Sequence, residues 1–236
     1  MILRRTVPDK SVVEIADLQA LRHVLRDLPL PPHCAIVNLV VDRRGRFFGG
    51  TGSSRDISNA LDYQGLMALR EKSGLILCSA NTARVEHYRR SKFAPLLLLS
   101  LSGNFDGIPA VESPEAGPTN SIVYLAAAEA KAASLAERYP GTWIRVVSLG
   151  EMERILAASK LTVIEAGPSL AKQLIADGNA SELAITITGV RWWHHWALCK
   201  TLKRLGVADA DATFVARVED TVFCRLSVNE RVPAPK

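Results

Sequence analysis

Two segments of the sequence place small residues and hydroxyl groups directly after a predicted strand, where a phosphate could bind. The first segment follows the β-branched run 161–164 and consists of Glu165, Ala166, Gly167, Pro168, Ser169 and Leu170. Small residues at such a turn let backbone N–H groups and a helix N-terminus approach an anion closely, and Ser169 is the predicted N-cap. The same residues also suit an ordinary strand-to-helix turn, so both interpretations stay open.

The second segment follows the predicted strand 75–79 and contains Asn81, Thr82 and Arg84. A hydroxyl and a guanidinium at this position suit the phosphates of a dinucleotide, because ligands collect at the carboxyl ends of parallel strands. The sequence contains no Gly-x-Gly-x-x-Gly, so it lacks the regular Rossmann fingerprint.

Basic residues form two further clusters. Arg43, Arg44 and Arg46 follow a predicted strand, where they could bind a substrate phosphate bidentately or simply be solvated. The basic residues of segment 89–92 are more typical of a solvated helix end. Neither cluster comes with a nucleic-acid-binding motif, so we do not expect DNA or RNA as a partner.

An aromatic stretch at residues 191–196 reads Arg-Trp-Trp-His-His-Trp. It could stack on a flat heterocycle, but a subunit interface or a helix capping the core is the interpretation we favour. Adjacent His194 and His195 would point about 100° apart on a helix, and no cysteine lies near them, so we expect no metal site.

The elements that must hold these segments alternate along the chain. Predicted strands cover 35–41, 75–79, 94–101, 122–126, 143–148, 161–164 and 183–188, and predicted helices cover 58–72, 127–138, 152–158 and 169–177. This alternation is typical of an α/β fold with a mostly parallel central sheet and helices on both faces. Segments 212–218 and 222–228 predict a C-terminal antiparallel hairpin. Apolar spacing near the start predicts a helix, so we expect residues 1–32 to form a helical leader before a single domain over residues 33–236.

Composition narrows the class of protein. The 236 residues are 48% hydrophobic and 22% charged, which excludes wholesale disorder, collagen and coiled coil. The net charge of +5 permits a phosphate ligand without requiring nucleic acid. The longest apolar run, 95–99, is far too short to span a bilayer, and no apolar run follows Arg4 and Arg5. With four dispersed cysteines and no export signal, we expect a cytoplasmic protein.

Together these segments resemble the pyrimidine reductases of riboflavin biosynthesis. The glycine-glycine-proline turn of that family resembles segment 165–170, and its threonine-x-arginine turn resembles Thr82-Ala83-Arg84, with the acidic residue following at Glu86. Its serine-rich turn resembles segment 53–56, and its opening strand resembles segment 37–41. The resemblance covers roughly residues 33–228.

The resemblance implies a dihydrofolate-reductase-like fold, a homodimer, and hydride transfer from NADPH to a ribosylaminopyrimidine phosphate. The cofactor would be bound by residues after the strands, which by resemblance are Ser54, Asn81, Thr82, Arg84, Ser100, Glu165, Ala166, Gly167, Pro168, Ser169 and Leu170. Because the nicotinamide supplies the hydride, the protein would contribute mainly positioning and electrostatics.

One departure from the family leaves the substrate open. The family carries serine-leucine-aspartate-glycine after its first strand, and the aspartate contacts the substrate. The corresponding residues here are Asp42-Arg43-Arg44-Gly45, so Arg44 stands at the position of the aspartate. Asp42 and Arg44 are therefore the candidate substrate-contacting and catalytic residues. The change favours a reductase of a different imine or heterocycle in secondary metabolism, and a non-catalytic homologue that acts as a binding protein is a further alternative.

Overall fold

The computed structural model describes residues 1–118, 121–190, 195–207 and 209–228. Within these ranges the strands are β1 (Ile2–Val7), β2 (Ser11–Glu14), β3 (Cys34–Asp42), β4 (Leu75–Ser79), β5 (Leu96–Leu99), β6 (Val123–Ala127), β7 (Ile144–Ser148), β8 (Leu161–Ile164), β9 (Glu182–Thr188), β10 (Ala210–Val218) and β11 (Thr221–Val228). The α-helices of the same ranges are α1 (Leu18–Arg26), α2 (Ala60–Lys72), α3 (Ala80–Val85), α4 (Pro109–Glu112), α5 (Ala132–Arg138), α6 (Leu149–Ala158), α7 (Pro168–Ala176) and α8 (His195–Leu205).

All of these strands belong to one sheet, in the order β2-β1-β10-β11-β9-β3-β8-β4-β5-β6-β7. The strands from β9 to β7 pair in parallel, which is the arrangement that alternating strands and helices predict. The strands β2, β1, β10 and β11 pair antiparallel, as do β11 and β9. The predicted fold class, a mostly parallel α/β sheet with a C-terminal antiparallel hairpin, is confirmed.

The central strands are buried on both faces, and their side chains alternate between two cores. In β4, Leu75 and Leu77 pack in a cluster that also contains apolar residues of α6, α7 and α8. Ile76 and Cys78 point the other way, into a cluster that includes residues of α3, α4 and α5. Because successive strand residues face opposite sides, an uninterrupted apolar run such as this one requires helices on both faces.

The N-terminal segment differs from the expected helical leader. Its predicted helix is α1, in which Leu21 and Leu25 are buried and Asp17 caps the N-terminus by accepting a hydrogen bond from the backbone N–H of Ala20. The two strands before it, β1 and β2, were not predicted, and β1 pairs with β10. The sequence of β1 lacks a clear alternation of apolar and polar residues, and Leu3 is the one fully buried residue of this strand.

Two other elements differ from their predicted extents. The predicted strand 94–101 is ordered as a strand only over Leu96–Leu99, and the predicted turn after β4 is helix α3. Helix α3 begins there because the Ser79 hydroxyl accepts a hydrogen bond from the backbone N–H of Thr82 at 3.1 Å, which caps its first turn. None of the described helices is long and apolar enough to cross a bilayer.

Candidate functional site

A cavity of about 540 Å³ opens beyond the carboxyl ends of β4 and β8 and beside the second half of β3. This volume is within the range of small-molecule sites. One face of α2, the segment 86–93 and the turn 165–168 form most of its wall. Segment 86–93 lies beyond β4, and the turn 165–168 directly follows β8. These are the two parallel strands after which the sequence predicts phosphate-binding segments.

The two predicted phosphate-binding segments meet at this cavity. The backbone N–H of Gly167 donates to the Thr82 hydroxyl at 3.3 Å, and the Ser79 hydroxyl donates to the same oxygen at 2.9 Å. Gly167 is the N-cap of α7, Pro168 is the first helical residue, and no side chain caps this terminus. The prediction that Ser169 is the N-cap is wrong, because the helix begins two residues earlier, where proline fixes the φ that a first helical turn needs.

One side of the cavity, the paired wall, consists of Arg70, Tyr88 and Glu165. The Glu165 carboxylate accepts hydrogen bonds from Arg70 Nε at 2.7 Å, from Arg70 Nη2 at 2.5 Å and from the Tyr88 hydroxyl at 2.5 Å. Glu165 is only 5% exposed, and the Arg70 guanidinium also lies 5.4 Å from the centre of the Tyr88 ring. Both carboxylate oxygens are thus hydrogen-bonded within the protein, and Glu165 holds Arg70 and Tyr88 in place.

The pKa values of this group follow from its burial and pairing. Burial, followed by the neighbouring Glu165 carboxylate, raises the pKa of the Tyr88 hydroxyl well above its ordinary value. Burial alone would lower the pKa of Arg70, but Glu165 more than compensates and raises it. Arg70 therefore stays charged and Tyr88 stays protonated as a donor at any physiological pH.

A second side of the cavity, the open wall, carries Asp62 on α2 and Asn38 on β3. The Asp62 carboxyl accepts a hydrogen bond from the Ser58 hydroxyl at 2.6 Å, and the residue is 7% exposed. No salt bridge among the described residues involves Asp62. Burial raises its pKa, and this outweighs the hydrogen bonds from Ser58 and Thr186 that lower it.

Sequence reasoning missed both Asp62 and Arg70. They lie eight residues apart on α2 with Leu66 between them, and all three line the cavity. A spacing of four residues places side chains on one face of a helix. This polar–apolar–polar pattern in the sequence could therefore have predicted that the three residues face the same side.

A third group of contacts fixes the loop that leads into α2. The buried Glu86 carboxylate accepts hydrogen bonds from the Ser53 hydroxyl at 2.9 Å and from the Ser54 backbone N–H and hydroxyl at 2.8 and 3.0 Å. Arg55 Nε lies 3.3 Å from the same carboxylate. Ser54 lines the cavity, but its hydroxyl already donates to Glu86.

The mouth of the cavity is basic. Arg55, His87, Arg89 and Lys92 are exposed residues that line it. Arg90, by contrast, is 5% exposed and donates to backbone carbonyls of the 113–117 loop. Segment 89–92 was interpreted from the sequence as a solvated helix end, and the structure brings it to the cavity instead.

Asp42 and Arg44 do not line this cavity. The Asp42 carboxylate closes its own turn by accepting hydrogen bonds from the backbone N–H groups of Arg44 and Arg46 at 2.8 and 2.9 Å and from Arg46 Nε at 2.7 Å. Burial raises its pKa, but these hydrogen bonds outweigh the effect and hold the pKa below its usual value. The Arg44 residue is exposed.

The remaining predicted residues divide between the cavity and its surroundings. Those that line the cavity are Ser54, Thr82, Glu165, Ala166, Gly167 and Pro168. Those that do not are Asn81, Arg84, Ser100, Ser169 and Leu170. Arg84 donates to the backbone carbonyls of Asp106 and Asn104 at 2.7 and 3.2 Å, and the Ser100 and Ser102 hydroxyls lie 3.1 Å apart.

The residues of this site fit the phosphate end of a nicotinamide dinucleotide. The first turn of α7 has no side-chain cap, and Gly167 leaves its approach open, because a Cβ added there would meet Thr82 Oγ1 and Phe48 Cζ only at 3.7 and 3.8 Å. In the described ranges no three His, Cys, Asp or Glu side chains come together as a metal site. Of the aromatic stretch 191–196, residues 191–194 lie outside the described residues.

Comparison with known proteins identifies the fold. No family model matches the sequence, and no curated protein matches it. Among solved structures, the chain is similar to a pyrimidine reductase-like protein from Corynebacterium diphtheriae, with 20% identity, a TM-score of 0.66, and coverage of 89% of this chain and 99% of that one. It is also similar to RibD of Acinetobacter baumannii, with 14% identity, a TM-score of 0.62, and coverage of 84% of this chain and 58% of that one.

A third similar structure is the riboflavin biosynthesis reductase Rib7 of Saccharomyces cerevisiae, with 10% identity, a TM-score of 0.52, and coverage of 90% and 97% of the two chains. At such low identities the likeness establishes the fold. The chain therefore has the fold of the pyrimidine reductase-like proteins, and the resemblance predicted from its sequence is confirmed at that level.

Proposed function

We propose that this chain is an NADPH-dependent reductase that acts on a ribosylaminopyrimidine phosphate or a similar heterocyclic imine. One observation carries the proposal: the uncapped N-terminus of α7 is hydrogen-bonded to Thr82 at the rim of a 540 Å³ cavity. Backbone N–H groups at a helix N-terminus are a ready site for phosphate, and the cavity behind them has room for a small heterocycle. The pyrimidine reductase-like fold supports the same conclusion.

The residues that would hold the cofactor are those of the 165–170 turn, together with Thr82. When bound, the nicotinamide supplies a hydride to the substrate. The chain's own residues bind the phosphates, and the hydrogen bond between Gly167 and Thr82 holds the two segments next to each other. The paired wall keeps the turn in place, because Glu165 directly precedes Ala166 and is bound from two sides.

The basic mouth supports a phosphorylated substrate. Arg55, Arg89 and Lys92 place cations where the anionic end of a ligand in the cavity would emerge. Guanidinium groups bind phosphate in two-pronged geometry, and a cationic entrance also speeds the encounter with an anion. We also propose a homodimer, on the resemblance alone, and light scattering will test it.

A reductase of a different imine is the second candidate. This candidate is favoured because neither Asp42 nor Arg44 lines the cavity. The Asp42 carboxylate is hydrogen-bonded within its own turn, and Arg44 is exposed. Turnover assays with the ribosylaminopyrimidine phosphate distinguish the two candidates, since only the first predicts product from that substrate.

A pair of substitutions at Gly167 tests cofactor binding. Both Asp and Asn are good N-caps and fit the backbone of Gly167, which has φ −62° and ψ 165°. Gly167→Asp places a negative charge beside the phosphates, whereas Gly167→Asn does not. By fluorescence titration we expect Gly167→Asp to weaken NADPH binding by at least about tenfold. Gly167→Asn should weaken binding by a smaller factor, because its side chain competes for the same N–H groups but adds no negative charge.

Both variants should be at least as stable as the wild type, since each caps α7. Weaker binding can therefore not be explained by unfolding. The proposal fails if the wild type does not bind NADPH at millimolar concentration, or if the two substitutions have equal effects.

A further inference from the structure

A second, much smaller cavity, the small cavity, lies between helices α1 and α2 and the strands β9, β10 and β11. Its volume of about 20 Å³ is enough for one water-sized occupant and too small for an organic ligand. Its lining is largely apolar and includes Leu25 and Leu28 of α1, Leu69 of α2 and Phe223 of β11. The one charged side chain among the described residues that line it is Arg225 of β11.

The Arg225 guanidinium is buried and only partly paired. The residue is 7% exposed, and its Nη1 has no hydrogen-bond partner within the described ranges. Its Nη2 donates to the backbone carbonyl of Leu25 at 3.5 Å. Burial lowers the pKa of Arg225 to about 10, so the guanidinium stays charged at neutral pH. Because a charged group removed from water is normally paired, we expect an acceptor beside Nη1.

The carboxylate of Glu182 on β9 acts on Arg225 electrostatically, but the sheet register keeps the two side chains apart. Arg225 stands opposite Ala184, whereas Glu182 stands opposite Ser227, whose hydroxyl donates to Glu182 Oε1 at 2.8 Å. In the described part of the chain no salt bridge joins Glu182 to Arg225. Glu182 does not line the small cavity, so it does not supply the acceptor that Nη1 needs.

Two further groups favour a negative charge at this place. The pKa of Lys72, at the end of α2, is lowered first by burial and next by the charge of Arg225, so a second cation lies nearby. Asn38 of β3 lines the small cavity as well as the large one, and its amide can donate N–H hydrogen bonds. The described lining residues include no carboxylate. The small cavity therefore offers hydrogen-bond donors and positive charge without an anion of its own.

We propose that the small cavity binds a single monovalent anion of halide size, held by Arg225 Nη1 and the Asn38 amide. Water fits the same space, but only an anion also compensates the buried guanidinium charge. Because Arg225 belongs to β11 and donates to Leu25 of α1, the bound anion stabilises the packing of α1 on the sheet. This site is separate from the proposed cofactor turn, so its occupancy can be tested on the protein without NADPH.

Thermal unfolding of the full chain in chloride and in gluconate, an anion too large for the small cavity, tests this site. At a constant ionic strength of about 0.1 M, exchanging the two anions keeps the screening of surface charges unchanged. We expect chloride to raise the unfolding midpoint of the wild type by about 3 °C, because a ligand that binds only the folded state stabilises it. Arg225→Met should lose this shift. Arg154→Met is the matched control, since it removes an exposed guanidinium of α6 and should keep the shift.

Bromide provides a second measurement that needs no variant. A crystal of the wild type grown in bromide should show an anomalous scattering peak beside Arg225 Nη1. Absence of this peak means that water fills the small cavity, which overturns the inference. A chloride shift that is missing in the wild type, or equally large in folded Arg225→Met, overturns it as well. If Arg225→Met fails to fold, the bromide peak decides.

Discussion

The paired wall and the open wall face the same cavity but differ in how far their polar groups are paired within the protein. In the paired wall both carboxylate oxygens of Glu165 are bound by Arg70 or Tyr88. In the open wall Asp62 has only hydroxyl partners and the Asn38 amide has none in the described part of the chain. The comparison teaches that a charged residue lining a cavity is weak evidence of a catalytic role, because a carboxylate whose oxygens are both paired within the protein serves to build the site.

The largest effect is expected from breaking the paired wall. Arg70→Met leaves the Glu165 carboxylate buried without its cation, so we expect the free energy of unfolding to fall by about 3 kcal/mol. Urea denaturation measures this change. Arg26→Met is the control, because Arg26 has a more exposed guanidinium that pairs with the exposed Asp27 and only at 3.8 Å with Glu71, and it should cost less than about 1 kcal/mol. Similar losses in the two variants would show that Glu165 does not depend on Arg70.

A smaller effect is expected at Tyr88. Tyr88→Phe removes one hydrogen bond to a charged acceptor and keeps the ring beside Arg70, so we expect a loss of about 2 kcal/mol in urea denaturation. Tyr63→Phe is the matched control, since Tyr63 is 51% exposed and should change stability by less than about 0.5 kcal/mol. An equal loss at both positions would mean that the hydroxyl of Tyr88 adds nothing to the wall.

The third prediction concerns the pH dependence of the open wall. Because the folded-state pKa of Asp62 is raised, its contribution to stability is fully present below the unfolded-state value of 3.8 and is lost as pH rises through the folded-state value. Asp62→Asn removes this titration. Urea denaturation at a series of pH values should show the stability of the wild type relative to Asp62→Asn falling as pH rises above about 4. Parallel pH profiles would contradict a raised pKa of Asp62.

Much of the fold could be predicted because its signals are local. Alternating apolar runs and helical patterns identified the central strands, and small residues after β8 identified the turn that begins α7. Strands β1 and β2 escaped prediction because Arg4 and Arg5 interrupt the apolar pattern, and their pairing with a distant strand is a long-range contact. The ends of an element were harder to predict than its presence, as the strand Leu96–Leu99 shows, which is shorter than the predicted 94–101.

The site was predictable at the turn that begins α7 and much less so at the open wall. Segments 79–84 and 165–170 could be predicted because small and hydroxyl-bearing residues directly follow a predicted strand. Asp62 and Asn38 belong to different elements. In the described ranges Asp62 lacks a cationic partner and the Asn38 amide lacks a hydrogen-bond partner, and both properties depend on the three-dimensional surroundings. Asp42 illustrates the converse, since a carboxylate that looked free in the sequence is saturated by its own turn.

The pairing of β1 with β10 has a practical consequence for shortened forms of the chain. Removing the first 32 residues would unpair one side of β10 and uncover α2, against which Arg22 of α1 donates to Gln64 at 2.8 Å. An exposed strand edge is a template for pairing with other chains, so we expect a protein cut at residue 33 to aggregate. Shortened forms made for expression should therefore retain the N-terminal strands, which cover this edge of β10.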